Sequence, residues 1–339
     1  QQDNLPVTSK GVVSLTMIKD RDNTYSHGLR DSNRGPNQDL FSNLNQAEVT
    51  NTDGVQKFLK GGIQIEDLTG LNASGASICS WNWVANNGVT TANTDGSGAT
   101  LASTIQANVD AGFSIVTYAG SSSGSKTVAH GLSQIPEVIW IKNRTDGSRN
   151  WFVYDKFTSY AGIVPYDGNA AYYSVLNSNS ARGSGNVFNN TAPTNKVFHI
   201  QDAGSLNTNG SGKNYIAYCW HSVLGYSHIG HYVGNSSTNG VFTYTGFKPS
   251  WIMIKCMSPS GNWIMYDNKR DPINPMYHRL YANLTNAQGT SGADIDFLSN
   301  GFKHRRSDSD HNTSSRNFVY MAFAQHPFIG DGINPATAR

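Results

Sequence analysis

The chain has 339 residues, enough for two or three domains, and its formal net charge of +2 is too small to favour binding to a nucleic-acid backbone. No apolar stretch reaches the roughly 18 residues that a membrane-spanning helix needs, so we expect no membrane insertion. Charged residues make up 14% and aromatic residues 11%, beside 34 glycines, which is typical of short strands joined by many turns. Three cysteines are too few for a disulfide framework and predict buried thiols.

The first unit is predicted at residues 12–84, after a polar arm at residues 1–11. It begins with the apolar pentad LTMIK at residues 15–19, followed after a polar turn by Asp31. An apolar run that ends in Lys, a turn, and a second run that ends in Asp together predict a β-hairpin. The next segment, residues 85–111, is rich in Thr, Asn, Gly and Ser and is predicted to be a linker or a bridging loop. Only its end, residues 99–109, could form a helix.

The same hairpin pattern recurs in a second unit at residues 112–230 and in a third unit at residues 231–339, which includes a C-terminal tail. The second pentad, VIWIK at residues 138–142, leads to Asp155, and the third, WIMIK at residues 251–255, leads to Asp267. Other short elements keep the same order around each hairpin. The chain is therefore predicted to be an array of related units.

Each unit requires about eight to ten short strands, so the predicted fold class is all-β, with tandem antiparallel β-sandwich units of jelly-roll or lectin-like type. A β-propeller is the alternative. Its blades would repeat every 40 to 50 residues or so, whereas the pentads here lie more than a hundred residues apart, which favours the sandwich.

Three motifs carry a resemblance to a known family: GFKPSWIMIK at residues 246–255, IDFLSNGFK at 295–303 and YMAFAQHPF at 320–328. With them the chain resembles repeat-containing virion surface proteins of marine tailed bacteriophages, whose domain is of unknown function. The resemblance covers residues 12–339 and is closest in the third unit. The first unit departs from it, because His27 stands where the other hairpins have Trp and the opening strand is missing. We expect the N-terminal arm or a neighbouring subunit to complete that edge.

The resemblance implies a non-enzymatic structural protein at the virion surface, assembled in the host cytoplasm. It would be a tail fibre or spike, or a head-decorating appendage, with loops for assembly or host attachment. The implied partners are other virion structural proteins and further copies of the chain, with a trimer favoured. Two alternatives remain open: a carbohydrate-binding receptor adhesin that contacts a host surface glycan, and a polysaccharide-degrading tailspike.

Catalytic residues are not indicated. A glycosidase needs two facing carboxylates, yet the chain has only three glutamates and none lies in the third unit. The segment at residues 120–124 fits the G-x-S-x-G pattern, but a Ser-rich loop follows it instead of the helix that a nucleophile elbow requires. The recurring Asp31, Asp155 and Asp267 are better explained by a salt link to a nearby Lys or Arg. We therefore predict that the protein is not an enzyme and needs no cofactor.

Two groups of residues could suggest a metal. His228 and His231 point to opposite faces of a strand, which makes a poor zinc site. Asp308, Asp310 and Asn312 alternate and could place three oxygens around a structural calcium ion. A solvated polar turn is the favoured interpretation, because the Gly and the distal Glu of a calcium-binding loop are absent.

A glycan or partner contact is predicted in the loop at residues 159–169, which is an insertion relative to the third unit. Its candidate residues are Tyr160, Tyr166, Asp167 and Asn169, since aromatic residues outside the repeated pattern have no assigned place in a core. Trp151 and Trp263 recur at matched positions and are predicted to be core residues rather than sugar platforms.

Overall fold

The computed structural model describes residues 12–85, 96–122, 124–157, 170–202 and 204–326. These residues form antiparallel sheets, which confirms the all-β sandwich class. Within these ranges, no helix has the length and apolarity that crossing a bilayer requires. The predicted arm at residues 1–11 lies outside the described residues.

The first sheet has the strand order β4-β3-β2-β1-β7, and the two-stranded ribbon β5-β6 packs against one of its faces. The strands are β1 (Leu15–Asp20), β2 (Gly28–Asp31), β3 (Gly35–Phe41), β4 (Val49–Thr50), β5 (Val55–Leu59), β6 (Gly62–Ile65) and β7 (Ile78–Trp83). Among the described strands, β7 is the last in its sheet and pairs with β1 alone.

The second sheet has seven strands in the order β14-β13-β12-β11-β16-β9-β8, with a ribbon of β10 and β15 beside it. The strands are β8 (Ser103–Asn108), β9 (Phe113–Ala119), β10 (Ser125–Ala129), β11 (Val138–Asn143), β12 (Phe152–Asp155), β13 (Tyr172–Val175), β14 (Gly183–Ser184), β15 (Val197–Gln201) and β16 (Asn214–Trp220). The segment that the sequence allowed as a helix forms β8 instead. It pairs with β9 along its whole length and buries Ile105, so tertiary pairing outweighs local preference.

The third sheet has eight strands in the order β17-β24-β19-β20-β21-β22-β23-β18. They are β17 (Ser227–Val233), β18 (Phe242–Tyr244), β19 (Pro249–Ser258), β20 (Trp263–Asp267), β21 (Met276–Tyr281), β22 (Gly289–Leu298), β23 (Gly301–His304) and β24 (Asn317–Ala324). β17 spans the boundary that the sequence suggested at residues 230 and 231, and it belongs to this sheet through β24.

The three predicted hairpins are confirmed. In each sheet the pentad strand pairs antiparallel with the strand that ends in Asp, and the Asp lies opposite the start of the pentad strand: Leu15 with Asp31, Val138 with Asp155 and Trp251 with Asp267. Each pentad is a continuous apolar run because both of its faces are buried.

The two faces of each pentad enter different cores. One face lies in a core specific to its own unit, as for Ile18, Ile139 and Ile252. The other face lies in one core that all three sheets share, to which Met17, Trp140 and Met253 belong. The units are therefore packed around a common centre.

Aromatic rings from all three sheets meet in this shared core. The ring of Trp83, in the first sheet, lies 6.1 Å from Trp220 of the second sheet and 5.7 Å from Trp251 of the third. Phe323 of the third sheet also packs against Trp83, at 5.9 Å. Edge-to-face packing of this kind adds to the stabilisation from area burial.

Candidate functional site

The candidate contact residues from the sequence, Tyr160, Tyr166, Asp167 and Asn169, lie outside the described residues. The prediction that Trp151 and Trp263 are core residues is confirmed, because the two side chains are 0% and 4% exposed. A site must therefore be sought from the geometry of the three sheets themselves.

Each pair of sheets meets in a junction: first–second, second–third and third–first. At the first–second junction, Nε1 of Trp151 donates to the carbonyl of Phe41 at 2.8 Å, and at the second–third junction Trp263 donates to Val175 at 2.9 Å. His27 occupies the matching place at the third–first junction. The backbone of Tyr281 is its hydrogen-bonding neighbour there.

An asparagine contact that recurs in all three units shows that these three positions are equivalent within the chain. In each unit an asparagine Oδ1 accepts the backbone N–H of the junction residue: Asn43 from His27, Asn177 from Trp151 and Asn283 from Trp263. The three asparagines therefore provide a common reference point for comparing the junctions residue by residue.

The recurring lysines also hold neighbouring sheets together. Lys142 Nζ lies 3.5 Å from the carbonyl oxygen of Asn45 in the first unit, and Lys255 donates to the carbonyl of Ser180 in the second unit at 2.8 Å. Burial lowers the pKa of both lysines to about 8. These lysines bind backbone carbonyl groups at the junctions and so act as connectors.

The recurring aspartates are ion-paired, as predicted, and two of them also cross a junction. Asp31 pairs with Arg34 and accepts a hydrogen bond from the hydroxyl of Tyr218, in the second sheet, at 2.7 Å. Asp155 pairs with Arg182. The three carboxylates are buried.

Asp267 repeats this arrangement at the third–first junction. It pairs with Arg270 at 2.6 Å and accepts a hydrogen bond from Nε1 of Trp81, in the first sheet, at 3.2 Å. Burial alone would raise the pKa of Asp267, but the Arg270 guanidinium and the hydrogen bonds to the carboxylate hold it below its ordinary value. The carboxylate is therefore ionised at neutral pH.

The junctions differ at one position, five residues after the reference asparagine. At the first–second junction this residue is Glu48, which accepts from Arg34 and Arg144, both at 2.8 Å. Burial would raise the pKa of Glu48, but the two arginines lower it overall. Here one carboxylate bridges two guanidinium groups, and together with Asp31 it balances their charge.

At the third–first junction the same position holds Gln288. Its Oε1 accepts from Nε of Arg21 at 2.8 Å and lies 3.4 Å from NH1 of Arg270. Arg21 corresponds to Arg144, since each stands two residues after the Lys of its pentad. A neutral amide therefore replaces the carboxylate, so the guanidinium groups of Arg21 and Arg270 have one ion-paired carboxylate, Asp267, where Arg34 and Arg144 have two.

The third–first junction also opens into a cleft of about 350 Å³, called here the third–first cleft. Its aromatic walls are Trp81 and Trp83 of β7 together with Trp251 and Phe323 of the third sheet. The Arg270 guanidinium lies over the Trp81 ring at 5.8 Å. Trp251 is 5% exposed, and its Nε1 has no hydrogen-bond partner among the described residues.

The charged residues that line this cleft are three cations, Arg21, Lys269 and Arg270, and one carboxylate, Asp267. Lys269 is exposed and Arg21 is half-buried. Aromatic walls beside cationic groups are features of a site that binds a polar ligand with an apolar face. The third–first cleft is the candidate functional site.

The predicted metal positions are engaged by protein groups. His228 Nδ1 lies 2.8 Å from the Tyr320 hydroxyl. Asp308 pairs with Arg279, and Asp310 accepts from the backbone N–H of Asn262. Asp310 and Asn312 are buried, so the interpretation of this segment as a solvated turn is wrong. Among the described residues, no group of three or more His, Cys, Asp or Glu side chains is placed to hold a metal ion.

Residues 5–327 match the family described as Domain of unknown function (DUF7483), and the chain belongs to this family. The match spans all three sheets. No curated protein and no solved structure matches the chain.

Proposed function

We propose that this member of the DUF7483 family is a non-enzymatic structural protein on the surface of a tailed-bacteriophage virion. It would be a tail fibre or spike, or a head-decorating appendage. The phage assignment is supported by the motif resemblance of residues 246–255, 295–303 and 320–328. Other virion proteins and further copies of the chain, in a trimer, are the proposed partners.

The structural role is supported mainly by how the recurring charged residues are used. Lys142, Lys255, Asp31 and Asp267 are buried and bind groups of a neighbouring unit. Removing charges from water is unfavourable, so such residues are suited to fixing one geometry through specific hydrogen bonds. A scaffold whose sheets are fixed to one another at three junctions can hold its loops in fixed directions.

Immunogold electron microscopy of phage particles tests the location. Antibodies raised against the purified chain should label the outside of intact virions, on the tail or on the head. Label that appears only in the lysate, and never on purified particles, would contradict the proposal. Light scattering should give a mass of three chains of 36.8 kDa, and a monomer at micromolar concentration would contradict the trimer.

A second test addresses catalysis. Incubation with host envelope polysaccharide should release no reducing ends. Release that an Asp-to-Asn substitution abolishes would instead support the polysaccharide-degrading tailspike.

The third–first cleft favours a second candidate function, a carbohydrate-binding receptor adhesin. Its five aromatic residues and its polar groups provide a surface for a sugar ring and its hydroxyl groups. Binding of the chain to an array of host envelope glycans tests this function. An array without any bound glycan would contradict it.

A further inference from the structure

We infer that the third–first cleft binds an acidic saccharide, with the carboxylate held by Arg21 and Lys269 and a sugar face packed on the aromatic walls. The inference rests on the second candidate function, ligand binding by an adhesin, and adds the charge of the ligand and the residue that selects it. That residue is Gln288.

The shape of the cleft favours a saccharide. Its volume of about 350 Å³ lies near the lower end of the roughly 300–1,000 Å³ that small-molecule sites occupy, which suits one or two sugar rings. Trp81, Trp83 and Trp251 are 8%, 6% and 5% exposed, so their rings are held rigidly and only part of each ring reaches the cleft. The C–H face of a pyranose packs on such a ring with little loss of side-chain entropy.

The charge of the cleft favours an acidic ligand. Within the described residues, the side chains of Arg21 and Lys269 form no ion pair with a carboxylate, whereas Arg144 at the first–second junction is paired with Glu48. Arg270 is paired with Asp267. A ligand carboxylate would therefore meet two cations that are in no ion pair, with Asp22 as a negative charge near Arg21. Arginine can bind a carboxylate through two parallel hydrogen bonds.

The direct test is isothermal titration of the full chain with a panel of acidic saccharides: oligogalacturonate, glucuronate disaccharides and sialyllactose. The methyl ester of each acid is the uncharged control. At least one acid should bind, and its ester should bind at least tenfold more weakly. The affinity of the acid should fall as salt rises, because the interaction is electrostatic.

Matched variants locate the site. Gln288→Glu places a carboxylate beside Arg21, as Glu48 is placed beside Arg144, and should weaken binding of the acid at least tenfold. Arg21→Gln removes the cation and should weaken binding by at least the same factor. Glu48→Gln makes the reciprocal change at the first–second junction and should leave binding unchanged. Thermal unfolding of each variant shows that it is folded.

The outcomes distinguish the adhesin function from the selectivity for an acidic saccharide. If esters and neutral glycans bind as tightly as the acids, and Gln288→Glu has no effect, the inference about charge is wrong while the adhesin stands. If no member of the panel binds but neutral glycans on the array do, the inference about charge is again wrong and the adhesin function again stands. If no saccharide of either kind binds, both are wrong. Tighter binding of a nucleotide than of any acidic saccharide would also overturn the inference.

Discussion

The first–second and third–first junctions contain the same kinds of contact but differ in how the charges of their arginines are balanced. Each has an Asp paired with an Arg three residues later and a hydrogen bond from an aromatic residue of the neighbouring sheet. One junction adds Glu48 and is neutralised, whereas the other adds Gln288 and keeps its positive charge. The repeated residues build both junctions, and Gln288 leaves Arg21 without the carboxylate that Glu48 gives to Arg144.

The two junctions also differ in what covers their aromatic residues. Trp220 and Trp83 occupy equivalent positions, opposite the first residue of the β11 and β1 strands. Trp220 is stacked by Phe113 of β9 at 5.1 Å. Among the described strands the first sheet has no counterpart of β9 beside β7. The third–first cleft lies along β7.

Removing the junction aspartates should give the largest effect. Asp267→Ala leaves Arg270 without a carboxylate, and breaking a buried ion pair costs about 3–5 kcal/mol. Asp31→Ala should cost less, because Glu48 still neutralises Arg34. Urea unfolding at pH 7 measures both. Adding Gln288→Glu to Asp267→Ala should recover part of the loss, and equal losses in the two single variants would contradict the comparison.

Replacing His27 with Trp, the residue at the other two junctions, should reduce the loss of folding stability at acid pH. Burial, together with the charges of Lys19 and Arg270, lowers the pKa of His27 to about 3. In the unfolded chain His binds a proton near pH 6.5, so stability from the neutral ring is full above that pH and is lost as pH falls toward 3. The loss at pH 5 is about 2 kcal/mol.

His27→Trp should therefore unfold with a shallower pH dependence between pH 6.5 and 4 than the parent chain. Buried His130 and His311 have pKa values lowered to about 4 and about 3, and they should keep their own contribution in both proteins. Denaturant midpoints measured at several pH values give the comparison. Identical slopes in the two proteins would show that His27 contributes nothing.

The reciprocal exchange at Glu48 and Gln288 should have the smallest effect on stability. Glu48→Gln should cost about 1–2 kcal/mol, because charge-assisted hydrogen bonds to Arg34 and Arg144 are weakened. The pKa of Glu48 is lowered in the folded chain. Its contribution is therefore present above the unfolded pKa and is lost as pH falls through the folded value.

Acid titration of unfolding below pH 5 should be less steep for Glu48→Gln than for the parent. Gln288→Glu should have the opposite sign and stabilise the chain slightly, since it places a carboxylate between Arg21 and Arg270. Destabilisation by Gln288→Glu would contradict the electrostatic difference between the junctions.

Much of the scaffold could be predicted from the sequence. A pentad followed by an Asp gave each hairpin, and a continuous apolar run indicated burial on both faces. The partner of the second face could not be predicted, because the side chains of Met17, Trp140 and Met253 are equally compatible with a separate sandwich and with a shared core.

The candidate site was harder to predict because its residues belong to the repeated pattern. Trp81 and Trp251 are of residue types that are typical of core positions. They lie beside a cleft, and among the described strands none covers the free side of β7. A signal for Gln288 was present: it stands five residues after Asn283, where the first unit has Glu48. Residue-by-residue alignment of the units on their asparagines would have found it.

The central claim is that the three sheets form one scaffold around a shared core. Amide hydrogen exchange in increasing urea tests it most directly, because it measures the opening free energy of each strand. The account predicts that the central strands β1, β11 and β19 exchange through one common opening, with equal free energies and equal dependence on urea. Three separate openings, one for each sheet, would contradict it.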